Sequence, residues 1–271
     1  MRTTEEIVEA RGDQGVVIHS TAIVSSDAVL GTNVRIGPYS LIGPAVTVGD
    51  GTEIGPHVLV ERHTRIGAGC VIHKGAVLGT DPQDLKFDGE DTLLVVGDRT
   101  VVREYATLNR GTRARGRTDV GSECLLMAYV HIAHDCIIGD HVILSNSVNM
   151  GGHVQIGDWA IVGGLTAIHQ FVRIGQHAFV GGASRVQKDI PPYVRAAGSP
   201  LELHGLNSVG MQRRGISAEV RAELKRAYRI LFRSGLNVRQ ALTRAEMELR
   251  PLDEVRHFLD FIRDSERGIA L

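Results

Sequence analysis

The densest chemistry in this chain lies in Leu126-Met-Ala-Tyr-Val-His-Ile-Ala-His-Asp-Cys, with His153 and then His169-Gln170 further on. Imidazoles exchange protons near neutral pH, so a group of them beside a carboxylate suits general acid–base catalysis. Twelve histidines among 271 residues make scattered surface histidines the default, and position has to decide. His134 is the candidate base, because Asp135 beside it could hold the ring tautomer and stabilise the imidazolium once it has taken a proton. Neighbours on a strand point to opposite faces, so this pairing needs a corner in the backbone.

The elements that must supply such corners are written in a repeat. Steps of six from Ile18 meet an aliphatic residue each time as far as Leu78, and the same phase returns at Val96, Val102 and Leu108 and from Val120 to Val186. Only Asp84, Glu90 and Ala114 break it. A period of six fits neither a helix nor simple alternation, so the unit is a short strand plus a turn stacked on its own copies. The residue after the aliphatic anchor is often Gly (Gly37, Gly49, Gly139), which suits a corner needing permissive dihedrals or close approach. The fourth residue after it is small or β-branched (Ser40, Ala76, Thr166), giving a narrow prism with little room for aromatics, in line with an aromatic content of 4%.

The pattern resembles the hexapeptide-repeat acyltransferases, and the resemblance covers nearly everything up to Pro191. It implies a mainly β fold: a left-handed parallel β-helix of three hexapeptides per triangular coil, with a C-terminal α-helical domain. The expected division is 1–192 for the β-helix, interrupted by loops near 79–95 and 109–119, and 193–271 for the helical domain. With eighteen residues per coil, His134 lies under Gly152 and Gly152 under Gln170, in one column spaced by about 4.8 Å per coil. His131, His153 and His169 flank that column, while His57, His63 and His141 lack such convergence and read as surface residues. Gly152 has no side chain, which leaves a backbone N–H free to face a developing oxyanion. Base and oxyanion donor on one column make an acyl-transfer arrangement.

Lys+Arg number 30 against Asp+Glu 31, so the charge balance implies no nucleic-acid partner. No apolar run approaches membrane-spanning length, and the stretch MRTTEEIVEARGDQG lacks the apolar core of a secretory signal, so the expected setting is cytoplasmic. Cys70, Cys124 and Cys136 fall on the small inward position and read as buried structural thiols. Asp189-Ile-Pro-Pro should stop the strand stacking, since proline removes ladder donors. Helical spacing follows over Ser217 to Arg233, Val238 to Arg250 and Leu252 to Arg267, with Ser217 as a candidate N-cap. Between Met211 and Arg239 there are eight Lys/Arg against two Asp/Glu, a solvated helix face or a dock for an acidic partner.

Of the two interruptions, the first brings Gln83, Asp84 and Lys86 close together, and the second is the basic run Arg110-Gly-Thr-Arg-Ala-Arg-Gly-Arg. A solenoid usually leaves its ladder for a binding face, although either could be a tolerated loop.

His-Ile-Ala-His-Asp-Cys, Gln-Asp-Leu-Lys, Ala-Ile-His-Gln-Phe and Gln-Arg-Arg-Gly together resemble the UDP-N-acetylglucosamine acyltransferases of lipid A biosynthesis, from the first repeats into the tail. The resemblance implies transfer of a 3-hydroxyacyl chain from acyl carrier protein to the 3-position of UDP-N-acetylglucosamine by a homotrimer with active sites between subunits. It makes His134 the base, Asp135 its partner and the Gly152 N–H the oxyanion donor. Asp84, Lys86, His131, His153, His169 and Gln170 would line the sugar-nucleotide cleft, and Asn207, Arg213 and Arg214 would contact the nucleotide. Gly182 falls where acyl length is set. Neither a metal nor another cofactor is expected. Two other readings stay open: a zinc-dependent carbonic anhydrase of the same β-helix class, and a non-catalytic scaffold.

Overall fold

The computed structural model describes residues 8–11 and 14–271. Short strands, most of them two residues long, stack into sheets of twelve, nine and eight strands, parallel except for the antiparallel strand at each end of the twelve. The chain visits these three sheets in that order and then starts again one layer up, as a left-handed parallel β-helix. Strand partners in adjacent layers are eighteen residues apart, as Val17 with Arg35 and Ile143 with Ile161. The anchor and the fourth residue after it point inward and are buried together: Ile72 with Ala76, Ile138 with Val142, Val162 with Thr166. The three cysteines occupy this inward row as free thiols. Burial pushes Cys124 up to about 11 and Cys136 up to about 12, which suits inert packing.

Each coil has three corners: corner I from the twelve- to the nine-stranded sheet, corner II from the nine- to the eight-stranded one, and corner III back to the twelve. From Asn33 to Ala183, outside the two loops, the third residue after the anchor turns the corner in the left-handed region, glycine or not. Consecutive examples are His141 (φ 58°), Ser147 (59°), His153 (61°), Trp159 (62°), Leu165 (60°) and Phe171 (65°). An L-residue there costs roughly 1–2 kcal/mol, which ladder hydrogen bonds and stacking must offset. The glycine after the anchor serves a different end, since Gly37 and Gly49 do not have positive φ. A Cβ on Gly49 would lie 2.5 Å from the backbone nitrogen of Ala68 in the next layer. Of the two reasons for glycine there, close approach holds and dihedral freedom does not.

Both interruptions leave the ladder at corner II. Val77 pairs with Thr107, thirty residues on, and Thr107 with His131, twenty-four on, so the loops add 30 − 18 = 12 and 24 − 18 = 6 residues. Asn109 Nδ2 donates to Thr80 Oγ1 and to the Asp81 carbonyl, each at 2.8 Å, holding the first loop. The fully buried Arg110 pairs with Asp81 and lies 5.2 Å over the Phe87 ring. In the second loop Arg113 pairs with Glu90 at 2.8 Å, while Arg115 and Arg117 share Asp119. Each arginine of the basic run therefore has a carboxylate partner within the chain.

The ladder also passes the double proline. Val194–Ala197 pairs in parallel with Phe179–Val180, and Glu202–Leu206 then pairs back on it. The expected stop fails because the prolines follow Ile190, which bridges Ile174 on the eight-stranded side, where no further layer needs their N–H groups. Four helices follow: α1 (Ser208–Arg213), α2 (Ala218–Arg233), α3 (Val238–Glu248) and α4 (Asp253–Arg263). Ser217 caps α2 by accepting from the Val220 N–H at 3.2 Å, whereas α1 had no counterpart in the sequence reading. Buried Asp189 ties the two regions together, accepting at 2.8 Å from the Arg173 N–H and from Ser265 Oγ. No described helix is long and apolar enough to cross a membrane. Of the amino-terminal stretch read as lacking a signal, residues 1–7 and 12–13 lie outside the described residues.

Two glycines separate the corner roles. Gly49→Ala should cost about 1–3 kcal/mol through overpacking. Gly51, at φ 67° with nothing within 4 Å of an added Cβ, should accept Asn for under about 1 kcal/mol. Denaturation midpoints of both variants check this, and equal losses would refute the distinction.

Candidate active site

Corner II carries the histidine column. Asp135 turns this corner at φ 61°, which swings its carboxylate towards the side chain of the preceding residue. His134 Nδ1 consequently lies 2.8 Å from Asp135 Oδ2. The carboxylate is buried; the Thr112 N–H from the second loop donates to Oδ1 at 2.9 Å and Thr112 Oγ1 to Oδ2 at 2.7 Å, while His153 Nε2 stands 3.7 Å from Oδ2. The Asp135 N–H donates to Thr118 Oγ1 at 2.8 Å, which fixes the corner itself. With Nδ1–H donating to the carboxylate, Nε2 of His134 keeps its lone pair for a substrate proton.

Gly152 stacks on His134 so closely that a Cβ there would sit 2.5 Å from Cε1 of the ring. Its N–H is buried and meets no backbone or side-chain acceptor among the described residues. The N–H at this position of the repeat is unpartnered at His134, Gly164 and Gln170 too, so the ladder leaves it open to an acceptor from outside the chain. The His134 ring and the Gly152 N–H therefore adjoin, as the column arithmetic expects.

The flanking histidines are placed by neighbours above and below. His131 Nδ1 is 2.7 Å from Thr107 Oγ1 one layer down. Burial, with the nearby His134, holds His131 below the ordinary imidazole range. His153 stacks on Phe171 with centroids 4.5 Å apart and meets the edge of His134 at 5.2 Å. Burial also lowers His153, against the opposing charges of Asp135 and Asp84, so the first loop brings Asp84 within electrostatic reach of the column. Lys86 stands exposed on the same loop, where its N–H donates to Asp84 Oδ1 at 3.0 Å. His169 and Gln170 follow one layer above His153, and Arg267 reaches His169 Nδ1 at 3.3 Å. A cleft of about 650 Å³ opens here between His153, Phe171 and the tail residues Asp264, Glu266 and Arg267.

The donor atoms of His134, Asp135 and His153 lie within 4.8 Å of one another and could hold a metal ion. Asp135 Oδ2 already accepts from Thr112 and His134, however, so a cation would have to displace both. That hydrogen-bond set fits a proton relay better.

The remaining expected residues are not on this corner. Asn207 caps α1 and donates from Nδ2 to the His177 carbonyl at 3.0 Å, so its amide clasps the tail to corner III. Arg214 lies 4.0 Å over the Trp159 ring, in a corner III stack with His141 and His177, and Arg213 is exposed beside it. His141, read as a lone surface residue, belongs to this stack, 3.6 Å from Trp159. Gly182 is at corner I, where an added Cβ would meet only backbone of Gly164, the nearest atom its carbonyl oxygen at 3.1 Å. Thr107, Thr112 and Phe171 were missed in the sequence. Thr107 and Phe171 lie one layer, twenty-four and eighteen residues, from His131 and His153, so coil arithmetic corrected for the loops could have found them.

A hexapeptide β-helix with an imidazole, a carboxylate and an open N–H on one corner defines an acyltransferase class. Residues 27–62 and 117–152 match the bacterial transferase hexapeptide family, and residues 189–270 match domain 2 of UDP-N-acetylglucosamine O-acyltransferase. The acyl-[acyl-carrier-protein]–UDP-N-acetylglucosamine O-acyltransferase of Thermodesulfovibrio yellowstonii is 47% identical over 93% of this chain and 98% of its own. That of Chlorobaculum tepidum is 55% identical over 90% and 93%. The solved structure of LpxA from Acinetobacter baumannii gives a TM-score of 0.91 at 46% identity, covering 94% of this chain and 99% of that one. The chain belongs to the UDP-N-acetylglucosamine O-acyltransferase family.

The lowered histidines set a pH dependence. A histidine whose folded-state pKa is depressed takes up its proton more readily when unfolded, so stability falls as pH drops through about 6.5 and levels off below the folded value. His153→Asn should therefore lose less stability than the parent between pH 7.5 and pH 5.5, as read by denaturation midpoints. An unchanged difference between the two pH values would contradict burial as the cause.

Proposed function

We infer that the chain transfers an acyl group from acyl carrier protein to UDP-N-acetylglucosamine at the start of lipid A synthesis, with His134 as general base. The observation that carries this reading is the adjacency of the His134–Asp135 pair to the unpartnered Gly152 N–H. Nε2 of His134 takes the proton of the sugar 3-hydroxyl as its oxygen attacks the carbonyl carbon of the acyl thioester. The Gly152 N–H stabilises the resulting oxyanion. Collapse breaks the C–S bond, and the imidazolium, steadied by Asp135, returns the proton to the departing sulfur. Asp84, Lys86, His131, His153, His169 and Gln170 hold the sugar nucleotide, a 3-hydroxyacyl donor supplies the chain, and the setting is cytoplasmic.

A homotrimer completes the site. His134 stands on corner II and Arg213 and Arg214 stand at corner III of the same chain, so a cleft using all of them draws on two subunits. Corner I leaves Tyr39, Tyr105, Tyr129 and Leu165 exposed, an apolar ridge that fits burial by assembly or by an acyl chain. In that cleft the guanidinium pair meets pyrophosphate oxygens, which planar, permanently charged groups suit.

His134→Ala should keep its circular dichroism spectrum and lose about 10²- to 10⁴-fold in activity. Coexpressed with Arg213→Ala/Arg214→Ala chains, it should regain activity at about one quarter of the sites, the statistical share pairing intact groups across interfaces. Strict additivity of the two losses would mean that each site lies within one chain.

Gly182→Met tests the acyl path. Its Cβ needs the Gly164 carbonyl to yield by a few tenths of an ångström, so the fold should survive. Preference should move to donors shorter by several carbons, because each excluded methylene forfeits about 0.8 kcal/mol. Product mass spectrometry with mixed acyl carrier protein donors reads this, and an equal loss at every length would place the acyl path elsewhere.

A further inference from the structure

We propose that Thr112 is a positioning residue for the catalytic pair, holding Asp135 so that His134 presents an unprotonated Nε2. The proposal rests on the acyl-transfer reading above. Thr112 lies in the second loop, with its side chain buried at 6% exposure, and it contacts Asp135 through both of its donors. The hydroxyl can aim its hydrogen in more than one direction, but here the choice is made for it. The Ala114 N–H donates to Thr112 Oγ1 at 3.2 Å, occupying the oxygen as an acceptor, so the hydroxyl hydrogen is left for Asp135 Oδ2. Asp135 then receives the Thr112 N–H on one oxygen and, on the other, the hydroxyl and His134 Nδ1. A carboxylate accepting from three donors has no rotation left to it, and the imidazole must keep its hydrogen on Nδ1.

The anchor of Thr112 is firm because its loop is fixed on both sides. Thr92 Oγ1 donates to the Gly111 carbonyl at 2.5 Å, and the preceding Arg110 is fully buried against the first loop. The same interlock joins the loop that carries Asp84 and Lys86 to the loop that carries Thr112. Substrate contacts and the base are thus registered to one another by Asn109, Arg110 and Thr112, none of which touches the reacting atoms.

Thr112→Val keeps the shape and the backbone N–H bond and deletes only the hydroxyl. The expected result is a loss of about tenfold to a hundredfold in kcat, the usual size for an orienting partner, with KM for UDP-N-acetylglucosamine unchanged. The acidic limb of kcat/KM against pH should move upward, because Oδ2 without the hydroxyl stabilises the His134 imidazolium more. His131, His153 and Asp84 also face this ring and are untouched by the substitution. Thr112→Ser restores the hydroxyl and should recover most of the rate. Parental kcat and pH profile in Thr112→Val would overturn the proposal, as would a loss that Thr112→Ser shares. Should Thr112→Val lose its melting transition, the serine variant with the acid limb decides alone: a parental limb supports the role and a displaced one ends it. Inactivity of the parent chain with its two substrates would instead refute the functional reading.

Discussion

Everything in this molecule depends on one backbone event repeated every six residues: a corner residue held in the left-handed region. It sets three flat faces of short parallel strands, and because it recurs in register it also stacks like positions of successive coils into columns. Non-glycine residues accept this conformation at an intrinsic cost, and the stacking of their side chains helps to offset it, as His153 on Phe171 and His141 on Trp159 illustrate. The same corner that builds the scaffold makes the His134–Asp135 contact possible. On a straight strand His134 and Asp135 would diverge, whereas at φ 61° their polar atoms meet.

A scaffold this regular tolerates insertion only under a phase constraint. The loops add twelve and six residues, each a whole number of repeats, and both start and finish at corner II. Strands above them therefore keep their anchors inward. What the loops gain is reach: one carries Asp84 towards His153, the other carries Thr112 to Asp135. Their arginines serve this purpose as internal ties. Arg110, buried without exposure, would be a heavy burden as a free charge and is tolerable because Asp81, the Gly79 carbonyl and the Phe87 ring surround it.

The sequence made the fold legible because anchor and small residue are a periodic signal that few other structures share. The column of His134 and Gly152 was legible for the same reason, given the coil length. Thr112 was hidden, since the loop between it and Asp135 breaks the arithmetic unless its six extra residues are known to fall at that corner. Reading Asp189-Ile-Pro-Pro as a stop failed on a related point: proline ends a ladder only where its missing N–H was needed, and Ile190 is already the last layer of that face. The run of arginines after Asn109 stayed open between a binding face and a tolerated loop, because carboxylates at Asp81, Glu90 and Asp119 become its partners only after folding.

The placement of groups on three corners explains why so rigid a prism suits an acyl transfer. One chain puts its proton-handling pair on corner II, its paired guanidinium groups at corner III and its side-chain-free shelf at corner I. The three groups thus stand on different edges of the prism, separated around the coil by the three-sheet order of the chain. Rigidity then becomes an advantage. The His134–Asp135 pair, the Gly152 N–H beside it and the loop ties are held within the fold itself, so a reaction that used them would need little reorganisation as charge develops.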